Sequence, residues 1–351
     1  MPVPEEKINM RDIAGLDLEG LKNSLGQWKV PGFHARQILG WIYQKGVIDF
    51  EKMSDLPQVL RERLKDNFSV CDMELVCCDE SSDGTRKYLF KLRDGNTAEA
   101  VLIPTPDRVT GCISSQVGCK FKCAFCASGM LGFKRNLEVA EIMGEVLYLK
   151  NNSPDGRLTH IVFMGTGEPM ENYDNVLKAI RIINAEYGLN IGIRRITIST
   201  SGIIPGIKRL SEEGLQVELS VSLHCPDDKT RSKLMPVNKV YPLRELMDAC
   251  REYISRTNRQ VTFEYVLIKN VNSDIASADK LSKLLSGLNC KVNLIPSNSV
   301  KAGQFLPPNK SDILLFRDRL AKSGTHVTLR KSRGQDIDAA CGQLRLRYEK
   351  E

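Results

Sequence analysis

From residue 110 to residue 329 the sequence alternates short extended-type runs with longer stretches of helical period, and that rhythm leaves few folds open. The strand-like runs cover residues 110–114, 160–164, 195–199, 216–223, 262–268 and 291–295. Helical patterns lie at 137–150, 173–186, 205–213, 242–256 and 274–286, followed by 311–323 and a last strand at 325–329. Alternation of this kind predicts parallel βαβ units and an α/β fold. Six units predict a full or partial barrel, a fold in which chemistry collects at the C-terminal ends of the strands. The first 95 residues read differently. Residues 35–45 and 56–68 are expected helices, 88–92 enters a hairpin turn at Asp94-Gly95, and 98–103 is its expected partner. The expected division is a small, mainly helical N-terminal accessory domain over 1–95 and a core domain over 96–351.

Composition excludes other classes. A chain of 351 residues that is 42% hydrophobic and 26% charged, with 15 prolines, is neither disordered nor low-complexity. No apolar run approaches the roughly 18 residues of a membrane span. The start, Met-Pro-Val-Pro-Glu-Glu, has no secretory character, so a cytoplasmic protein without a membrane role is expected. The net charge of +7 is unevenly spread. Residues 1–70 carry ten bases and ten acids, residues 301–351 carry eleven bases and six acids, and 119–137 holds Lys120, Lys122, Lys134 and Arg135 with no acid. Such clusters can hold a polyanion, nucleic acid above all, or form a solvated surface.

Eleven cysteines without a secretory signal argue against a disulfide framework. Cys71, Cys77, Cys78, Cys225, Cys250 and Cys290 are scattered and read as small buried apolar residues. Cys119-Lys-Phe-Lys-Cys123-Ala-Phe-Cys126 is different: three thiols within eight residues, in the loop after the first barrel strand. A structural zinc site needs four closed ligands, and the fourth would have to come from afar, from Cys112 or His160. Three thiolates on a [4Fe–4S] cluster would instead leave one iron open to another molecule. Directly after the second strand stands Gly165-Thr-Gly167-Glu168-Pro169. Glycine permits close approach and a carboxylate matches an ammonium, although Gly-Glu-Pro is also an ordinary turn.

Cys-x3-Cys-x2-Cys followed by Gly-Glu-Pro resembles the radical S-adenosylmethionine (SAM) superfamily, which implies a partial (βα)6 barrel. Four further stretches narrow the resemblance: Ser199-Thr-Ser-Gly202, Ser222-Leu-His224 with Arg231 and Met235-Pro-Val-Asn238, Pro296-Ser-Asn298, and Ser332 to Leu344 around Cys341. Together they resemble the RlmN/Cfr family of RNA adenosine methyltransferases, most closely its RlmN branch, over nearly the whole chain.

The resemblance implies the rest. Cys119, Cys123 and Cys126 would ligate a [4Fe–4S] cluster. Gly167, Glu168, Ser199, Ser222, Leu223, His224 and Asn298 would line the SAM site. Two SAM molecules would serve each turnover: one methylates the Cys341 thiolate, the other yields a 5′-deoxyadenosyl radical that takes a hydrogen from that methyl. The resulting carbon radical would add to C2 of an adenine, an electron-poor carbon that cannot attack SAM itself. Glu99 would remove the ring proton, with Cys112 a second candidate for that role. The Cys112 thiolate would then attack the Cys341 sulfur, releasing methylated RNA and a Cys112–Cys341 disulfide. The implied partners are 23S rRNA, tRNA at the adenosine 3′ of the anticodon, and an electron donor such as flavodoxin or ferredoxin, with the chain a monomer. The sequence leaves three alternatives: a Cfr-type enzyme acting on C8, a zinc-bearing RNA-binding protein without catalysis, and another radical SAM reaction.

Overall fold

The computed structural model describes residues 10–130, 132–297, 305–330, 333–334, 336–337 and 343–348. The N-terminal unit is helical. Asp17 accepts a hydrogen bond from the Gly20 amide at 2.8 Å and caps α1 (Leu18–Gly26). α2 (Phe33–Leu39) continues into one wide turn at Gly40–Gln44, and α3 (Gln58–Asn67) follows. Leu21, Leu25, Ile38, Ile42, Leu60 and Leu64 are buried together, the helical spacing read from the sequence. A two-residue parallel ladder between β1 (Arg11–Asp12) and β2 (Phe68–Ser69) joins the ends of the unit.

A ten-stranded sheet carries the rest. β3 (Met73–Glu80), β4 (Arg86–Leu92) and β5 (Thr97–Pro104) form an antiparallel meander. β5 pairs antiparallel with β6 (Val109–Cys112). A small hairpin, β7 (Gln116–Gly118) and β8 (Phe133–Asn136), then encloses the one-turn helix α4 (Ala127–Met130). The expected alternation follows: α5 (Val139–Asn151), β9 (His160–Phe163), α6 (Tyr173–Asn184), β10 (Ile196–Thr200), α7 (Ile204–Glu212), β11 (Glu218–Ser222), α8 (Asp228–Leu234), α9 (Leu243–Thr257), β12 (Val261–Leu267), α10 (Ile275–Leu285), β13 (Cys290–Pro296), α11 (Lys310–Lys322) and β14 (His326–Leu329), with α12 (Gln343–Tyr348) near the C-terminus. The spatial order is β14-β13-β12-β11-β10-β9-β6-β5-β4-β3, with the seven strands from β14 to β6 parallel. Among the described residues β14 and β3 do not pair, so the barrel is partial.

Register decides what the two faces of this sheet are. Ile161, Phe163, Ile196, Ile198, Leu219, Val221, Val292 and Leu294 lie on one face and are buried in the core with the helices. The other face carries Thr110, Cys112, Ser199, Ser220, Ser222, Glu264, Asn293 and Thr328 in aligned positions. A closed βα barrel fills its inside with branched apolar side chains; this one lines it with polar groups, which suits a polar ligand.

Residue 95, the expected domain border, falls in the turn between β4 and β5, inside the continuous sheet. Of the six scattered cysteines, Cys225, Cys250 and Cys290 are buried, but Cys71 and Cys77 are only partly so and Cys78 is exposed. Cys77 and Cys78 lie on β3, the edge strand, where one flank has no neighbour among the described strands.

Candidate active site

The three cysteines sit in a loop tied at its neck. The Cys119 amide donates to the Gly132 carbonyl at 3.1 Å, closing the loop where β7 meets β8. Gly118 has φ +80°, and a Cβ there would lie 1.7 Å from the Gly132 oxygen, so only glycine fits. The Ala124 amide donates to Leu234 O at 2.8 Å, anchoring the loop on the end of α8. Burial pushes the Cys119 thiol up to about 12 and the Cys123 thiol well above its ordinary range. The other two triplet thiols also raise Cys123, and Arg231 opposes them. Thiols that oppose one another's ionisation share one space and need a cationic centre to hold all three as thiolates. Among the described residues no three His, Cys, Asp or Glu side chains converge as ligands of a single ion do. His160 opens β9, at the end of the strand away from the loop, so it does not supply a fourth zinc ligand. A donor set of three thiols without a fourth protein ligand beside them among the described residues fits an iron–sulfur centre with one open iron better than a closed four-ligand zinc site.

The neighbouring strand ends hold the SAM-type motifs. Gly165 and Gly167 press on the chain leaving β6: Cβ atoms there would lie 2.7 Å from the Ile113 backbone and 2.6 Å from Gln116 Cβ. Close approach therefore explains these glycines from the protein side. Glu168 is buried; its carboxylate accepts from the Ser201 amide and hydroxyl, both at 2.7 Å, and from the Met170 amide at 3.1 Å. Burial raises its pKa against these hydrogen bonds. Ser199 lies within β10 and Ser222 ends β11, on the polar face. Leu223 is buried and its amide donates to Glu264 O at 3.0 Å. His224 adopts a left-handed φ of +57°, accepts the Val266 amide on Nδ1 at 3.0 Å, and meets the Phe125 ring edge-on at 4.9 Å between centroids. Burial pulls its pKa down to about 3, with Arg231 adding to the effect, so it stands here as a neutral imidazole that links β12 to the cysteine loop.

Glu99 and Cys112 lie on adjacent strands and the same face: Cys112 is opposite Val101 on β5, two residues from Glu99. A Glu in alternating strand context is usually solvated. Here Glu99 is 3% exposed and pairs at 3.2 Å with Lys87, which is fully buried. Ser114 links this strand to its surroundings: its hydroxyl donates to Glu99 O at 2.6 Å and accepts the Thr166 amide at 2.9 Å, while its amide donates to Glu145 at 2.7 Å. Burial holds the Glu145 carboxyl well above the usual range.

Asn298 and Cys341 lie outside the described residues. So does any Cys112–Cys341 bond; no disulfide joins two of the described cysteines. The described neighbours of Cys341 in sequence are docked on the meander. Asp336 accepts from the Ser81 hydroxyl and the Ser82 amide, the Gly334 amide donates to Asp83 at 3.1 Å, and Arg347 pairs with Asp79 at 2.5 Å.

Sequence reading missed Lys87 and Glu264, and held Ser201 only inside the Ser199–Gly202 stretch. Glu264 accepts from Asn293 Nδ2 at 2.8 Å inside the polar face; its signal is a carboxylate in the otherwise apolar run Val-Thr-Phe-Glu-Tyr-Val-Leu. Arg231 was visible only as part of a motif.

Comparison with known proteins agrees with this geometry. The family profile described as "Radical SAM superfamily" matches residues 113–280. The profile "Ribosomal RNA large subunit methyltransferase N-terminal domain" matches 11–70. The chain is 46% identical to a protein of Clostridium tetani named "Probable dual-specificity RNA methyltransferase RlmN", over 97% of this chain and 98% of that one. A Geobacillus kaustophilus protein of the same name is 45% identical over 99% and 96%. The crystal structure of a radical SAM methyltransferase from Sphaerobacter thermophilus superposes with a TM-score of 0.92 at 45% identity, covering 95% of this chain and 98% of that one.

Proposed function

The chain belongs to the RlmN family of radical SAM methyltransferases, and we therefore propose that it methylates C2 of an adenosine in 23S rRNA and C2 of the adenosine 3′ of the anticodon in tRNA. The observation that carries the chemistry is the placement of Glu99 and Cys112 on neighbouring strands of the polar face, apart from the triplet loop. As a radical SAM protein the chain uses a [4Fe–4S] cluster and SAM, which when bound supply hydrogen-atom abstraction. Cys119, Cys123 and Cys126 would hold the cluster, and the loops at Gly167–Glu168, Ser199, Ser222–His224 and Asn298 would hold SAM.

Cys341 would accept a methyl from SAM as a thiolate; after one hydrogen atom is taken from that methyl its carbon would bond to C2, and the adduct would give up one electron, to the cluster when it is bound, as the C2 proton leaves. Glu99, held in place by Lys87, takes the C2 proton. The Cys112 thiolate attacks the Cys341 sulfur; the S–C bond breaks, an S–S bond forms, and the electron pair stays on the methyl carbon, which is protonated as RNA leaves. Docking of residues 334, 336 and 347 on the meander that bears Glu99 supports this use of the Cys341 stretch.

For RNA, Lys122 and Lys134 remain exposed beside the loop, whereas Lys120 pairs with Glu171 and Arg135 with Asp94 and Glu141. Phosphates bind such bases. Arg36, Lys45, Arg61 and Arg63 of the N-terminal accessory domain and Arg330 and Arg333 near the C-terminus extend the surface. An external electron donor such as flavodoxin or ferredoxin and a cytoplasmic, monomeric enzyme complete the reading. Among the described residues no helix is long and apolar enough to cross a membrane. A C8-directed, Cfr-type activity is not favoured, because the curated relatives described above bear the RlmN name.

Incubation of the anaerobic enzyme with SAM, a reductant and rRNA or tRNA fragments, followed by nuclease digestion and mass spectrometry, tests the proposal. 2-Methyladenosine is expected. 8-Methyladenosine, or no methylated base, overturns it.

A further inference from the structure

Arg231 of α8 is 0% exposed, and among the described residues it forms no ion pair with a carboxylate. Its donors go to uncharged oxygens: Nε to Leu223 O at 3.1 Å, one terminal nitrogen to Asn238 Oδ1 at 2.7 Å, the other to Ser201 O at 2.7 Å and Ser222 O at 3.0 Å. The nearby Asp228 carboxylate is committed elsewhere, accepting from Asn238 Nδ2 at 2.9 Å and the Leu243 amide at 2.8 Å. A fully buried cation without a carboxylate is costly, and proteins keep one where an anion completes it.

Two observations say which anion. First, the helix that carries Arg231 anchors the triplet loop, through the Ala124 amide on Leu234 O at 2.8 Å. Second, Arg231 sits one helical turn before Leu234 on α8, and its Nε holds Leu223 O at 3.1 Å, next to His224, whose ring meets Phe125 of the triplet loop. The same side chain fixes carbonyls at the ends of β10 and β11, the loops that carry the SAM motifs. Ser201, one of those anchor points, also holds the Glu168 carboxylate. Three thiolates around a [4Fe–4S] core leave a net negative site, and charge near a cluster sets its reduction potential.

We propose that Arg231 is a positioning residue that also acts electrostatically: its buried guanidinium is the counter-charge of the thiolate-bound cluster, and its fork fixes the SAM loops relative to that cluster. The inference rests on the cluster assignment above. The charge and the fork separate by substitution, because lysine keeps the cation and loses the planar donors.

The test is potentiometry of the anaerobically reconstituted full chain, followed by electron paramagnetic resonance, with SAM binding read from the change in the cluster signal. Arg231→Gln is expected to load iron and sulfide but to show a more negative potential than the native chain. Arg231→Lys is expected to keep the native potential and to bind SAM about tenfold more weakly, the usual cost of losing an outer hydrogen-bond partner. A loaded Arg231→Gln protein with the native potential overturns the inference and leaves the functional reading intact. Should Arg231→Gln not fold, the lysine variant decides: native potential with weakened SAM binding supports the proposal, and native values for both overturn it. A native chain that takes up no cluster overturns the functional reading itself.

Discussion

At the scale of single residues, the polar face carries ionisable and thiol side chains whose surroundings sequence could read only in part. Glu99 and Cys112 were named only as what the family resemblance implies; that Glu99 is buried on Lys87 was not readable, because strand alternation does not say which face is covered. The two cysteine roles separate cleanly. Cys112→Ala is expected to accumulate a covalent protein–RNA adduct visible on denaturing gels, whereas Cys341→Ala forms none; normal RNA methylation by both variants contradicts the scheme. His224 gives a pH prediction. Its folded pKa lies near 3, below the ordinary 6.5, so between those values the unfolded chain binds the extra proton. Stability from this group is present above about pH 6.5 and is lost as pH falls toward 3, by up to about 1.4 kcal/mol per pH unit. Urea titrations at pH 7, 6 and 5 should show a shallower acid loss for His224→Gln than for the native chain; equal slopes would count against a buried neutral imidazole.

At the scale of elements, the βα rhythm was readable because parallel strands covered by helices need apolar runs separated by helical periods, and every expected strand and helix from 110 onward appears within a few residues. The hairpin of β7 and β8 was not readable. Gln-Val-Gly and Phe-Lys-Arg-Asn are too short and too polar to announce strands, and their pairing is imposed by the loop they close. β3, an edge strand with little apolar alternation, was missed for a similar reason. The hairpin neck makes a sharp prediction. Gly118→Ala places a methyl against the Gly132 carbonyl and should cost the chain most of its bound iron. Gly95→Ala, also at positive φ but with open space around it, should cost about 1 kcal/mol of stability and no iron. Iron and sulfide assays beside thermal unfolding check both. Equal iron content in the two variants would show that the neck does not shape the cysteine loop.

At the scale of the whole molecule, the N-terminal helices, the meander and the partial barrel are joined by charged contacts that no local pattern reports. Arg93 binds Met10 O at 2.6 Å and also reaches Ser69 and Asp72. Arg135, next to the cysteine loop, is held by Asp94 and Glu141. The C-terminal stretch closes on the turn between β3 and β4 through Asp83, whose carboxylate accepts from the Thr85 amide at 3.0 Å and the Gly334 amide at 3.1 Å; against the effect of burial, hydrogen bonding lowers its pKa to about 2. Asp83→Ala should leave iron content unchanged and slow methyl transfer to Cys341 by roughly tenfold or more, as expected when a reacting group loses its placement. Radiolabel from SAM on the protein reads this directly, and an unchanged rate would separate the docking contacts from the chemistry. The proposed chemistry depends at every scale on three thiolates that leave one iron of a cluster open to SAM. Its most direct measurement is anaerobic reduction of the full chain with SAM and quantitation of products. Such a centre requires about four irons and four sulfides per chain and release of 5′-deoxyadenosine that Cys123→Ala abolishes; a chain that binds zinc instead, or that forms no 5′-deoxyadenosine when reduced, contradicts it.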